Sequence, residues 1–238
     1  MTNARFDGRS ACTKRFAIMA MAVWLLAGCA ATTTKRDAYP AMYGDQRPLT
    51  ILVAPAINRT TAADAGELLD VTIAEPFADQ GYYVLPVPIV SEIFEMEGIV
   101  DGEQLLEVPP QAFRESFGAD AVLFVTIDKW ETNYIVIAGN LTVGLAYVLR
   151  STETGEVLWS YEGEIVVDTS GSSGNIFADM IATAINTAVA RYVPVARQVH
   201  VQTLQAMPYG QYHPQAGLDG DQKSVAVDRK TAALGADV

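Results

Sequence analysis

Histidine is almost missing from this chain of 238 residues: His200 and His213, both late in the sequence, are its only two. That leaves a histidine-based catalytic triad or zinc cage nearly without raw material. Basic residues are also scarce, 16 Lys and Arg against 28 Asp and Glu, and the net charge of −12 argues against an electrostatically driven nucleic-acid binder. The longest apolar run of the N-terminal region, residues 16–27, is too short for a bilayer-crossing helix, which needs about 20 apolar residues. Cysteine is limited to Cys12 and Cys29. What is plentiful is ordinary core material: 50% hydrophobic and 18% charged residues exclude a mainly disordered chain, and the length fits one domain with short appendages.

The apolar run follows Arg5, Arg9, Lys14 and Arg15 and ends in Leu26-Ala27-Gly28-Cys29. A basic start, a short apolar segment and small residues at a cut site describe a secretory leader. The four-residue box resembles the bacterial lipobox, in which a peptidase needs small residues and only a thiol can take the diacylglyceryl thioether. Residues 1–28 therefore read as a signal peptide and Cys29 as a lipidated, palmitate-bearing new N-terminus. Ala30 follows it instead of the aspartate that retains enteric lipoproteins at the inner membrane, so the expected location is the periplasmic face of the outer membrane. With Cys12 discarded and Cys29 acylated, no thiol remains for a disulfide. Loss of the leader removes four basic groups and one acidic group, taking the net charge to −15, which disfavours contact with anionic lipid beyond the anchor.

Residues 29–48 carry Pro40, Gly44 and Pro48 and read as a polar tether. An apolar stretch at 49–54 reads as a buried strand. Residues 62–80, with Ala65, Leu69, Ile73 and Phe77 every fourth position and a capping-box spacing at Thr61 and Asp64, read as a core-facing helix with a kink at Pro76. Residues 82–86 supply a second strand, which makes a β-α-β start with parallel strands. Short helices are expected at 90–97 and 110–117, a central strand at 121–125, and a long antiparallel hairpin at 141–149 and 157–167 around the turn at 153–156. The glycine-serine loop 170–174 then precedes a covering helix with a stripe of Phe177, Ile181, Ile185, Ala188 and Tyr192. The fold class is α/β, a mixed sheet of about five strands. Residues 49–205 form the domain, and residues 206–238 a tail, largely disordered beyond 215.

No catalytic or metal constellation emerges. Gly171-Ser172-Ser173-Gly174 lacks the lysine and the spacing of a phosphate loop, and Asp219-Gly220-Asp221 lacks the later ligands of a calcium loop. The acidic group Glu92, Glu95, Glu97, Asp101, Glu103 and Glu107 reads as a solvated face. Asn58-Arg59-Thr60 fits a turn, and His200 a packed or surface residue. Trp159 and Tyr161, at strand period, belong to the core, while Trp130 and Tyr134 near a strand end are candidate contacts for a protein partner.

Several segments together, Leu26-Ala27-Gly28-Cys29, Ile51-Leu52-Val53-Ala54-Pro55 with Asn58, Gly81-Tyr82-Tyr83-Val84-Leu85-Pro86-Val87, Phe117-Gly118-Ala119-Asp120-Ala121, Thr154-Gly155-Glu156-Val157-Leu158-Trp159-Ser160 and Pro208-Tyr209-Gly210, resemble a family of bacterial lipoproteins of unknown function known from genome-derived surface-antigen work. The resemblance implies a domain similar to the N-terminal domain of TolB and distantly like the CsgG lipoproteins of curli-type pores. It transfers one functional residue, Cys29.

The resulting expectation is a non-enzymatic outer-membrane lipoprotein, without cofactor beyond its lipid, that assembles or docks an envelope transport or secretion complex. Its partners would be the membrane, envelope proteins such as a CsgG-like lipoprotein, and further copies of itself. The alternative is a regulatory lipoprotein acting on a cell-wall synthesis enzyme. A hydrolase using Glu164, Asp168 and His200, and a pore subunit crossing the membrane with strands from 134–150, are weaker readings.

Overall fold

The computed structural model describes residues 33–44, 47–135, 138–168 and 188–224, with the side chains of 132–135, 138–140, 167–168 and 188–192 left aside. The elements are α1 (Lys35–Ala38), β1 (Thr50–Val53), β2 (Ile57–Asn58), α2 (Ala65–Asp79), β3 (Tyr83–Val84), α3 (Val87–Met96), α4 (Pro110–Phe117), β4 (Ala121–Ile135), β5 (Ala138–Ser151), β6 (Val157–Asp168) and α5 (Ala188–Leu204). Single 3-10 turns lie at Pro40–Tyr43 and Gly102–Leu105.

Six strands form one mixed sheet in the order β3-β1-β4-β5-β6, with β2 beside the next stretch of β4 after β1. β1 pairs in parallel with both β3 and β4, so the β-α-β start is present. A strand flanked on both sides and covered on both faces has no polar face to show, which is why Ile51, Leu52, Val53 and Ala54 are all buried. Their alternation feeds two cores. Ile51, Val53, Leu123 and Val125 join Leu69, Ile73 and Phe77 of α2 and Val195 and Val199 of α5. Leu52, Val122 and Phe124 on the opposite face join Val90 and Phe94 of α3 and Phe113 of α4.

The second half is a three-stranded antiparallel meander, β4-β5-β6. Leu141, Val143, Leu145, Tyr147 and Leu149 are buried in the first core, together with Trp159, and they are covered by protein rather than set out as a lipid-facing band. The register of β4 against β5 shifts between Ile127 and Lys129. One extra residue in a strand inverts the facing of everything after it. Ile127 therefore faces the helices as an odd-numbered residue, whereas past the shift it is Trp130, opposite Val143, that packs on the core, and Lys129, opposite Gly144, that takes the other face.

Three sequence expectations differ from the structure. α2 begins at Ala65, and its N-cap Asp64 makes no side-chain cap bond; the turn before it is organised by Asn58, whose Oδ1 accepts from the Thr60 N–H and hydroxyl and whose Nδ2 donates to Ala62 O. Residues 35–43 are not a free tether but a helical segment with Lys35 and Met42 buried. Residues 216–224, expected to be disordered, fold back onto that segment: Thr34 bridges Lys223, and Ser224 N–H donates to Thr33 O at 2.8 Å.

Candidate functional site

The carboxyl ends of the parallel strands β1 and β3 are where α2 and α3 leave toward opposite faces of the sheet, and such a divergence opens a crevice. Here it encloses about 390 Å³. Small residues make the space: Ala56 after β1, Ala63 in the turn before α2 and Gly66 in its first turn. Carboxylates line it: Glu67 and Asp70 from α2, Glu95 from α3 and Asp101 from the loop beyond. Val87 and Pro88 form an apolar wall, and Val71 and Val100 are 57% and 75% exposed at the rim.

Asp101 is occupied as the cap of the 3-10 turn, its Oδ1 accepting from Glu103 N–H at 2.7 Å, and Asp70 is the one of the four with a buried carboxylate oxygen. Its Oδ2 accepts from Ala56 N–H at 3.3 Å, while its Oδ1 is buried and meets no donor among the described residues. Desolvation pushes its carboxyl up from 3.8 to about 7, against the opposing pull of the Ala56 N–H. Among the described residues no Lys or Arg pairs with Glu67, Asp70, Glu95 or Asp101, and no three His, Cys, Asp or Glu side chains are grouped to hold a metal ion.

His200 sits elsewhere, fully buried between α2 and the sheet. Its Nε2 is 3.0 Å from Leu69 O and its Nδ1 2.8 Å from the Tyr147 hydroxyl. A carbonyl can only accept, so Nε2 carries the proton and Nδ1 accepts from Tyr147. Burial pulls the imidazole down to about 4, opposed by the Leu69 bond. This is a polar tie joining α2, β5 and α5, with no open side for a substrate. Glu164 lies on the opposite face of the sheet, within 3.4 Å of Lys129. Asp168 pairs with Asn140 through the backbone at the end of β6, and its side chain is outside the described residues. His200 and Glu164 are thus held on opposite sides of the sheet, so this candidate set does not converge.

A third feature joins the two ends of the domain. The Lys35 ammonium is 2.9 Å from Met207 O, 3.4 Å from Asp219 Oδ2 and 5.3 Å from the Tyr209 ring centre. Both side chains of the ion pair are essentially unexposed. Burial lowers the Lys35 ammonium from its ordinary range, and Asp219 pulls it back upward. Asp219 also accepts from Tyr209 N–H, and Arg36 donates from its backbone to Gly220 O and from its guanidinium to Gly217 O. The Asp219-Gly220-Asp221 segment is therefore half of a clasp.

Of the other expected positions, Trp130 is half-buried against the core, and Tyr134 is placed only by its backbone pairing with Gly139. Cys29, the loop 170–174 and the stripe residues Phe177, Ile181 and Ile185 lie outside the described residues. Trp159 stacks on Tyr161 with ring centres 6.4 Å apart. Glu103 faces Arg59 at 3.8 Å. Asp70, Lys35 and the partnership of Asp219 were missed by sequence reasoning. A lysine and an aspartate 184 positions apart carry no local signal, and Asp70 sits within an otherwise regular helix.

Three of the segments that carried the resemblance, 81–87, 117–121 and 208–210, prove to be staples. Gly81, at φ +88°, lies so close to the 208–213 segment that a side chain would strike the His213 backbone, and a side chain on Gly210 would strike Gly81 O. Gly210 N–H donates to Gln80 O, and the Tyr82 hydroxyl donates to Pro208 O at 2.7 Å. The Asp120 carboxylate accepts from Leu49 and Thr50 N–H and sets the start of β1, while the Thr152 hydroxyl donates to Ala119 O at 2.6 Å.

A family model described as "Putative lipoprotein GNA1162-like" matches residues 38–211. A Neisseria meningitidis serogroup B protein named "Putative lipoprotein NMB1124/NMB1162" is 26% identical over 144 residues, 60% of this chain and 67% of its own length. The crystal structure of lipoprotein GNA1162 from Neisseria meningitidis is 28% identical with a TM-score of 0.48, covering 64% of this chain and 98% of that one. A PelC dodecamer from Paraburkholderia phytofirmans is 18% identical with a TM-score of 0.41, over 66% and 86% of the two chains. With the family model spanning most of the chain, from α1 to the stapled segment after α5, this protein belongs to the GNA1162-like lipoprotein family.

Proposed function

We propose that the protein is lipidated on Cys29, sits on the periplasmic face of the outer membrane, and acts as a non-catalytic docking module of an envelope transport or secretion complex. The observation that carries this reading is the clasp. Because Lys35 is locked into the domain by Asp219 and Met207, the folded domain begins at Thr33 rather than at residue 49, four positions after Cys29. Four residues reach at most about 14 Å. A domain tied this closely meets partners at the membrane, which weighs against the alternative of a regulator reaching across the periplasm to a cell-wall synthesis enzyme. The net charge of −12 for the whole chain leaves the lipid, not electrostatics, as the membrane attachment. The buried, tied His200 and its separation from Glu164 support a non-catalytic role.

Two measurements test this. Cys29→Ala is expected to move the protein from the membrane to the soluble fraction; retention in the outer membrane would end the anchor reading. Crosslinking of the native lipidated protein in mild detergent is expected to yield a defined complex with envelope proteins. A monomer or dimer without co-purifying envelope proteins would count against docking.

A further inference from the structure

Two surfaces on different sides of the sheet carry exposed apolar residues among charges of opposite sign. From them we infer a head-to-tail contact between copies of this chain, in which α3 of one copy packs on the strap 211–218 of the next. The first surface is the outer side of α3. Val87, Val90 and Phe94 turn to the core, and the helical repeat then leaves Ile89, Ile93 and Met96 as a stripe in solvent, 56%, 37% and 73% exposed. Glu92 and Glu97 are exposed beside the stripe, and neither pairs with a Lys or Arg among the described residues.

The second surface is the strap, where Tyr212 and Leu218 are 67% and 78% exposed. Two guanidinium groups lie beside them. Arg36 donates to the carbonyl of Gly217, next to Leu218, and an Arg47 nitrogen lies 3.8 Å from where a side chain on Gly217 would begin. Arg47 O in turn accepts from Gln211, next to Tyr212. Neither arginine has an ion pair among the described residues. With Lys223 they outnumber the exposed carboxylates of the same region, Asp37 and Asp221.

One chain keeps these surfaces apart. α3 covers the face of the sheet opposite α2 and α5 and borders the crevice, whereas the strap follows α5 and is stapled to Gln80 and Gly81 ahead of β3. Charge selects the occupant. Packing α3 on a second α3 opposes Glu92 and Glu97 to their own copies, and packing strap on strap does the same to Arg36 and Arg47. The unlike pairing alone sets carboxylates against guanidinium groups while covering both apolar patches. A surface that binds a different surface makes a heterologous contact, which repeats into a ring or a row. This inference goes beyond the docking reading and does not need it, since no other envelope protein takes part.

The test uses two differently tagged full-length copies, processed and anchored in the same cells, one carrying Met96→Cys and the other Leu218→Cys, joined by a short bismaleimide. The native cysteines are Cys12 and Cys29 alone, and a wild-type pair sets their background. Val166→Cys, exposed on β6 and outside both surfaces, paired with Leu218→Cys sets the background of chance encounter. The adduct carrying both tags should exceed both backgrounds severalfold, and a copy with both substitutions should give a ladder of higher species. Glu92→Arg with Glu97→Arg in the first copy should cut the adduct severalfold at an unchanged melting temperature. An adduct no greater than background, one joining Met96→Cys to itself instead, or one undiminished by the charge reversal would overturn the inference. Capture of envelope proteins by Met96→Cys in place of the second tag would also overturn it, while leaving the docking reading in force.

Discussion

At the scale of single residues, two buried titratable groups give this protein opposite responses to pH. Asp70 holds its proton to about pH 7 in the folded state and to about 3.8 when unfolded. The folded state therefore binds the extra proton between those values, and this group's contribution to stability falls as pH rises from about 4 to 7 and stays low above. Asp70→Asn should melt within a degree or two of wild type at pH 4 and clearly higher at pH 8; parallel melting curves across the range would show that the carboxyl is not desolvated. His200 works the other way. Its folded value of about 4 lies below the ordinary 6.5, so its contribution is complete above pH 6.5 and is lost as pH falls toward 4. Tyr147→Phe leaves Nδ1 buried without a donor and should cost about 1–3 kcal/mol at pH 7, measured by denaturant unfolding. Little of this was readable in advance: the sequence marks His200 as packed or exposed without deciding which, and it gives no sign that Asp70 lines a crevice with one carboxylate oxygen buried.

At the scale of elements, the decisive pieces are the bulge in β4 and the clasp. The sequence predicts a strand at 121–125 from its unbroken apolar run, because a doubly covered strand advertises itself. The remaining ten residues of β4 mix polar residues with Ile127, Trp130, Tyr134 and Ile135 at no single period, and only the shift after Ile127 explains why Trp130 packs inward. The clasp was invisible because both of its strands of chain look like connectors, short, polar and interrupted by Pro or Gly. Their order comes from partners far away: Lys35 finds Asp219, and Arg36 finds Gly217 and Gly220. Lys35→Met strands a buried carboxylate and should destabilise by roughly 3–5 kcal/mol, whereas the Lys35→Met, Asp219→Asn pair should recover most of that loss. Hydrogen exchange of residues 33–36 and 217–224 is expected to speed up together in the single variant. If only one of the two segments loosens, they do not hold each other.

At the scale of the whole molecule, the mixed sheet is asymmetric. Its parallel half is covered on both faces by helices and opens a crevice at the carboxyl strand ends. Its antiparallel half packs one face on α5 and sets Lys129, Glu162 and Glu164 on the other. The tight coupling of the N-terminal segment to the C-terminal strap makes the distance from the anchor a designed quantity in the docking reading. Inserting ten Gly and Ser residues between Thr32 and Thr33 should leave the melting temperature and the membrane fractionation unchanged while reducing crosslinks to membrane-bound partners severalfold. Undiminished crosslinks would show that the short offset is immaterial.

The β-α-β start and the long hairpin were determined by the sequence alone, since each is written in local periodicity, and local patterns act over the distance at which they can be read. The clasp, the facing of Trp130, the convergence of Glu67, Asp70, Glu95 and Asp101 on one space, and the contact between Gly81 and Gly210 were decided by the tertiary structure. Each depends on residues brought together by strand order and helix placement, and the energy that fixes them, burial of a charge or close approach of two backbones, exists only after the chain has folded.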